Sequence, residues 1–270
     1  MAARRRGSRG LETRTMTGRR RSTWVLAIGV AMLFGATSCS STAEPTAVPA
    51  AAKYPLHTGI VATTFWVGEI FDPTASDGSQ VISTYDSEWF AHYGGCDGVI
   101  VNAMCETEAR TTDNGFFPTQ MTPLENPFYL DLPFDDLNDE AAFARRATVI
   151  PWAQEADYAG HETDELFSYM KNRWVQLSKD GRTCYGQIQD AGPGEYNDAD
   201  YVFGAADQRP LNAKFNNAGM DVSPALNGCL GFADVNGQAD KVDWRFVDLA
   251  DVPEGPWRTI ITSSQVTPFD

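Results

Sequence analysis

Two carboxylates in this chain stand where an apolar run breaks into a turn. Asp190 closes the run Cys184-Tyr185-Gly186-Gln187-Ile188-Gln189 and is followed by Ala191-Gly192-Pro193. Asp221 lies in Gly219-Met220-Asp221-Val222-Ser223-Pro224-Ala225-Leu226. Two carboxyl groups that meet in one groove suit acid–base work on a glycosidic bond. One delivers a proton to the leaving oxygen, and the other activates water or attacks carbon. The same residues equally suit a structural role. Asp221 or Ser223 would cap a helix with Pro224 in its first turn, and Asp190 ahead of Gly192-Pro193 makes an Asx-turn.

The surrounding pattern is largely of strands. Arg173-Trp174-Val175-Gln176-Leu177 alternates in polarity, Lys179-Asp180-Gly181 supplies a turn, and Cys184 to Ile188 alternates again, which predicts a hairpin. A strongly β-forming run, Lys241 to Val247, follows Asp221. Gly59 to Glu69 is expected to be the first strand, Asn126 to Phe134 another, and Trp257 to Ile261 the last. Residues 72–127 are punctuated by Gly and Pro and are expected to be loop-rich. An insertion at about 137–170 holds a helix over Asp139 to Arg146, opened by an acidic cap, and a second helical pattern over Thr163 to Lys171. With no internal repeat, residues 56–270 are expected to form one domain, long enough for a sizeable core.

The order of these motifs resembles the double-psi β-barrel family that includes expansins, rare lipoprotein A and some endoglucanases. Those proteins carry an Asp-x-Gly-Pro turn, an Asp-Leu-Ser motif opening a short helix, and a closing strand with Trp-Arg or Trp-x-Val. The matching residues are Asp190-Ala191-Gly192-Pro193, Asp221-Val222-Ser223 and Val242-Asp243-Trp244-Arg245-Phe246-Val247. Thr64, Phe65, Trp66 and Gly68 resemble the family's opening Ala-Thr-Tyr-Tyr-Gly, with Val67 inserted. The resemblance covers roughly a third of the chain, and it implies a mainly β fold, a single six-stranded double-psi β-barrel with helical and loop insertions. It further implies Asp221 as the acid, Asp190 as its supporting carboxylate, and Thr64, Trp66 and Tyr185 as substrate-binding residues. The sequence departs from the family at Ala191, where Arg is common, at Val222 for Leu, and at Met220 for Phe. The expected ligand is a polysaccharide such as peptidoglycan. It would be either cleaved, in the manner of a lytic transglycosylase or glycoside hydrolase, or loosened as by an expansin. The alternatives are a non-catalytic carbohydrate-binding or protein-binding envelope module and a rigid scaffold whose groove the insertion blocks.

The first residues have a different character. Eight arginines precede the apolar run Trp24 to Phe34, and Gly35-Ala36-Thr37-Ser38-Cys39 follows. That pattern is a secretory signal, and the small residues before Cys39 resemble a lipobox that would make Cys39 the lipidated first residue. Met16 offers an alternative start. Residues 40–55, rich in Ala and Pro, are expected to be a tether. Export to the outer face of a bacterial membrane, lipid-anchored or secreted, follows as the expectation. Of 21 basic and 36 acidic residues, the first 38 positions hold 8 and 1, which leaves 13 against 35 and a net charge of −22. So acidic a surface disfavours nucleic acid or anionic lipid as partner. Cys96, Cys105, Cys184 and Cys229 are expected to form two disulfides, paired Cys96–Cys105 and Cys184–Cys229 among three possible arrangements. No C-x-x-C spacing accompanies the three histidines, so no metal or cofactor is expected, and the domain is expected to be a monomer.

Overall fold

A computed structural model describes residues 52–75 and 78–269. The expected signal segment and Cys39 lie outside the described residues. In chain order the elements are β1 (His57–Thr64), α1 (Trp89–Tyr93), β2 (Val99–Val101), β3 (Met104–Glu106), β4 (Tyr129–Leu132) and α2 (Glu140–Val149). There follow β5 (Trp174–Lys179), β6 (Arg182–Ala191), α3 (Ala199–Val202), β7 (Met220–Val222), α4 (Pro224–Leu230) and β8 (Asp240–Val247). Six strands close a barrel in the order β1-β7-β4-β6-β5-β8, so the fold is mainly β with loop and helical insertions. β2 and β3 form a separate hairpin, fastened by the disulfide Cys96–Cys105.

The expected hairpin is β5–β6. Its turn places Asp180 and Gly181 at φ 50° and 80°, left-handed values that glycine adopts freely and aspartate tolerates. β8 alternates as a half-buried strand should, sending Val242, Trp244 and Phe246 inward. Those side chains join Ile60, Leu130, Val175, Ile188, Val222 and Leu226 in the barrel core. Parallel pairing of β1 with β7 and of β4 with β6 sets the register that matters most. Thr63 lies opposite Asp221, and Asp131 opposite Asp190. The disulfide Cys184–Cys229 ties α4 to β6.

Three local expectations are corrected. The pattern over Thr163 to Lys171 gives turns rather than a helix. Two of its carbonyls, those of Asp164 and Phe167, are claimed from outside by the buried Arg146 guanidinium, which also donates to the carbonyls of Asp136 and His161, all at 2.7–2.9 Å. Asp136 in turn accepts from the Ser168 hydroxyl and the Tyr169 N–H, each at 2.6 Å. Trp257 to Ile261 is no strand, since Pro256–Arg258 makes a single 3₁₀ turn that lays the Trp257 ring against Phe128 and Tyr185. The last residues of the expected tether are packed on the domain. Tyr54 is buried, and Lys53 pairs with Glu155 and Asp248 at 2.8 Å. The α2 helix itself forms as expected, with the Asp139 carboxylate accepting the Ala142 N–H.

Candidate functional site: a cluster of carboxylates at one barrel end

Asp131, Asp190 and Asp221 converge because β6, β4 and β7 are neighbours and each places its aspartate near the same barrel end. Their surroundings differ in ways that separate their roles. Asp190 is buried, and its Oδ1 accepts the backbone N–H groups of Thr84 and Ala191 at 2.7 and 2.8 Å. The Gln80 amide approaches its other oxygen at 3.4 Å. Asp131 is also buried, and its Oδ1 accepts the backbone N–H of Asp221 at 2.8 Å. Gly192 is required beside it, because a Cβ there would come within 2.9 Å of Asp131 Oδ2. The Asp221 side chain receives the Thr63 hydroxyl, and the residue keeps part of its surface exposed.

Asp221 therefore does not cap the helix that follows. Ser223 does, accepting the Leu226 N–H on its hydroxyl, with Pro224 in the first turn. Asp190 does make a backbone-anchoring turn, and it also fixes the loop at Thr84. Of the two aspartates named from sequence, Asp190 is thus occupied by backbone donors, while the Asp221 carboxylate accepts only the Thr63 hydroxyl among the described residues.

Electrostatics follow from this crowding. Burial, reinforced by the charges of Glu69 and Asp190, pushes the Asp221 carboxyl up to about 7. Asp190 also rises to about 7 through burial, against the pull of the Thr84 and Ala191 N–H groups. Asp131 lies well above the ordinary carboxylate range, through burial and then the charges of Asp221 and Asp190. Glu69, just past β1, is raised to about 7 by burial and by Glu106. Carboxyl groups buried and crowded in this way remain partly protonated at neutral pH, a condition a general acid requires.

The other expected site residues are placed less favourably. Thr64 is one position off, because side chains alternate along a strand and Thr63 is the residue that meets Asp221. The Thr64 hydroxyl instead accepts the Asn227 amide at 2.9 Å. Trp66 is 8% exposed, and its indole N–H donates to the Cys105 carbonyl, which leaves little ring surface for a ligand. Tyr185 is buried against Trp257 and accepts from the Gln176 amide. It lies five residues before Asp190 on β6, about 16 Å away at the usual strand rise. Asp131, Thr63 and Glu69 belong to the cluster and were not singled out from sequence. Asp131 left a visible signal, a carboxylate interrupting the otherwise apolar run Phe128-Tyr129-Leu130-Asp131-Leu132. Glu69 left none, because it joins the cluster through the path of a loop.

Comparison with protein-family models, with curated proteins and with solved structures finds no match for this chain.

Proposed function

We propose that this protein acts on a polysaccharide of the cell envelope, on an expansin-like double-psi β-barrel, with Asp221 as the proton donor. The observation that carries the reading is the state of Asp221. It is a partly accessible carboxyl at a strand end, held by the Thr63 hydroxyl and raised to about 7 first by burial and then by the charges of Glu69 and Asp190, so that part of it is still protonated near neutrality. In the reaction Asp221 gives that proton to the glycosidic oxygen as its bond to the anomeric carbon breaks. Water, or a hydroxyl of the same sugar, then bonds to that carbon and returns a proton to Asp221. Asp190 and Glu69 stay in place as fixed neighbours that, with burial, keep the proton affinity of Asp221 high. Export and a lipid anchor at Cys39 belong to the same proposal, and the two disulfides are compatible with an oxidising compartment.

A second reading is a binding module without catalysis. It is favoured by the engagement of Asp131 and Asp190 with backbone amides, a structural use of both groups. One experiment separates the two. Wild type and Asp221→Asn are incubated with peptidoglycan, cellulose and chitin, and soluble products are identified by mass spectrometry. Sugar fragments released by wild type and absent with the variant support Asp221 as the acid. Retention on a polymer without release, equal for both proteins, supports the binding module. Failure to bind or cleave any of the three overturns the glycan reading.

A further inference from the structure

Apart from the three aspartates, one serine is held between a carboxylate and an ammonium. Ser264 lies in the C-terminal segment that follows the 3₁₀ turn at Pro256–Arg258. Its hydroxyl donates to Glu125 Oε1 at 2.8 Å and accepts from Lys171 Nζ at 3.3 Å. Glu125 and Lys171 are buried, whereas Ser264 keeps part of its surface exposed. Among the described residues the Ser264 hydroxyl is the only donor to the Glu125 carboxylate, whose Oε2 has no partner.

A closed ring of hydrogen bonds fixes this serine. Lys171 also donates to Gln189 Oε1 at 2.9 Å, and the Gln189 amide donates to Asn172 Oδ1 at 2.9 Å. The Asn172 amide then returns to the Ser264 carbonyl at 3.0 Å. Asn172 holds its place in the ring at φ 67°, a left-handed value that its side chain tolerates better than most. The flanking residues are tied as well. The Thr262 hydroxyl accepts the Asn126 N–H, and the Thr262 N–H donates to the buried Gln187, each at 2.9 Å. Burial lowers Lys171 from the ordinary lysine value against the charges of Glu125, Asp86 and Asp190, which makes its ammonium a stronger donor to Ser264.

Ser264 and Glu125 line an open cleft of about 530 Å³, together with His92, Leu124 and Ile261. The backbone N–H groups of Ser264 and Gln265 have no acceptor among the described residues. One serine thus has an acceptor for its proton, a cation beside its oxygen and space for a reactant, the features of an activated nucleophile.

We propose that Ser264 is a nucleophile for acyl transfer, with Glu125 as its base, and that the cleft takes an uncharged carboxylic ester. The exposed side chains of Leu124 and Ile261 offer the ester an apolar seat, and the carboxylate in the wall disfavours an anionic one. Ser264 Oγ bonds to the carbonyl carbon as its proton passes to Glu125. Lys171 stabilises the charge on Oγ, and the free N–H groups of Ser264 and Gln265 are the donors available to the oxyanion. The bond from carbon to the alcohol oxygen then breaks, and Glu125 returns the proton to the departing alcohol. Water, activated by Glu125 in turn, releases the carboxylic acid and restores Ser264. The reaction uses none of Asp131, Asp190 or Asp221, so it stands independently of the glycan reading.

The test uses the full chain with its disulfides intact. A fluorophosphonate, which phosphonylates activated serines, is added and its adduct is mapped by mass spectrometry, with hydrolysis of p-nitrophenyl acetate followed in parallel. Wild type should carry the adduct on Ser264 and turn over the ester. The adduct should persist in Ser263→Ala, and both adduct and turnover should be lost in Ser264→Ala. Glu125→Gln retains an oxygen to accept the Ser264 hydroxyl but cannot take its proton. It should keep the melting temperature of wild type and slow both reactions about 100-fold. No adduct on Ser264 of wild type, or one that forms as fast in Glu125→Gln, would overturn the proposal and leave Ser264 a structural bridge between Glu125 and Lys171.

Discussion

Asp221 and His57 bring opposite pH dependences to one barrel. Burial raises Asp190 and Asp221 to about 7 from an ordinary value near 3.8, so each favours the folded state in acid. Their contribution is fully present below about pH 4 and is lost as pH climbs through 7. His57 runs the other way. Its ring is buried against Trp244 at 4.2 Å with neither nitrogen bonded, and burial lowers it to about 4 from 6.5. Stability from a neutral His57 is present above pH 6.5 and lost as pH falls toward 4. We therefore expect Asp190→Asn, whose amide oxygen still accepts the Thr84 and Ala191 N–H groups, to raise the melting temperature at pH 8 by about 4–8 °C. The gain should be smaller at pH 5, where the wild-type carboxyl is already protonated. His57→Phe should remove the acid-side loss, so that its melting temperature falls less than that of wild type between pH 7 and 5. A catalytic Asp221 adds a kinetic signature, with glycan cleavage declining as pH rises through about 7. A cleavage rate that is flat from pH 5 to 9 would remove Asp221 from the role of acid.

At the scale of elements, local signals determined what local chemistry could determine. The β5–β6 hairpin, the capped α2 helix and the closing β8 strand were all legible, because a turn dipeptide, a capping carboxylate and strict alternation act over a few residues. Thr163 to Lys171 was not legible, although its pattern is helical, because Arg146, outside the segment, claims the carbonyls of Asp164 and Phe167. No periodicity within the segment records that. Arg146 is thus the organising residue of the insertion, and it is fully buried beside Asp136. Replacing it with Met keeps the bulk, leaves the Asp136 charge without its counterion and strands four carbonyls. We expect Arg146→Met to cost about 3–5 kcal/mol in urea unfolding. Hydrogen exchange should quicken first over residues 161–169. A loss below about 1 kcal/mol would mean that water replaces the guanidinium, and that the insertion is held by Trp152 and Tyr169 instead.

At the scale of the whole molecule, the site exists only because the barrel closes. Asp131, Asp190 and Asp221 are far apart in sequence and meet through the strand order β7-β4-β6, a non-local arrangement that no single segment encodes. That is why Asp190 and Asp221 could be singled out by their turn motifs, while Asp131 and Thr63 needed the register. The two disulfides bear unequally on that closure. Cys96–Cys105 spans 9 residues and fastens the β2–β3 hairpin outside the barrel sheet, whereas Cys184–Cys229 spans 45 and binds β6 to α4, the helix that starts two residues after β7's Val222. On loop entropy alone their removal costs about 2.6 and about 4 kcal/mol respectively. The functional consequences should diverge further than the energies. Loss of the first leaves the pairing of β7 with β1 and β4 untouched, so Cys96→Ala/Cys105→Ala should keep the glycan activity proposed above, if wild type shows it. Loss of the second frees α4 from β6 and loosens the carboxylate cluster that α4 helps to fix. Cys184→Ala/Cys229→Ala should therefore lower both the urea midpoint and activity at temperatures where the variant is still folded. Activity retained in that variant would show that β7 is held by its strand neighbours alone, and the disulfide would then matter for stability and not for the site.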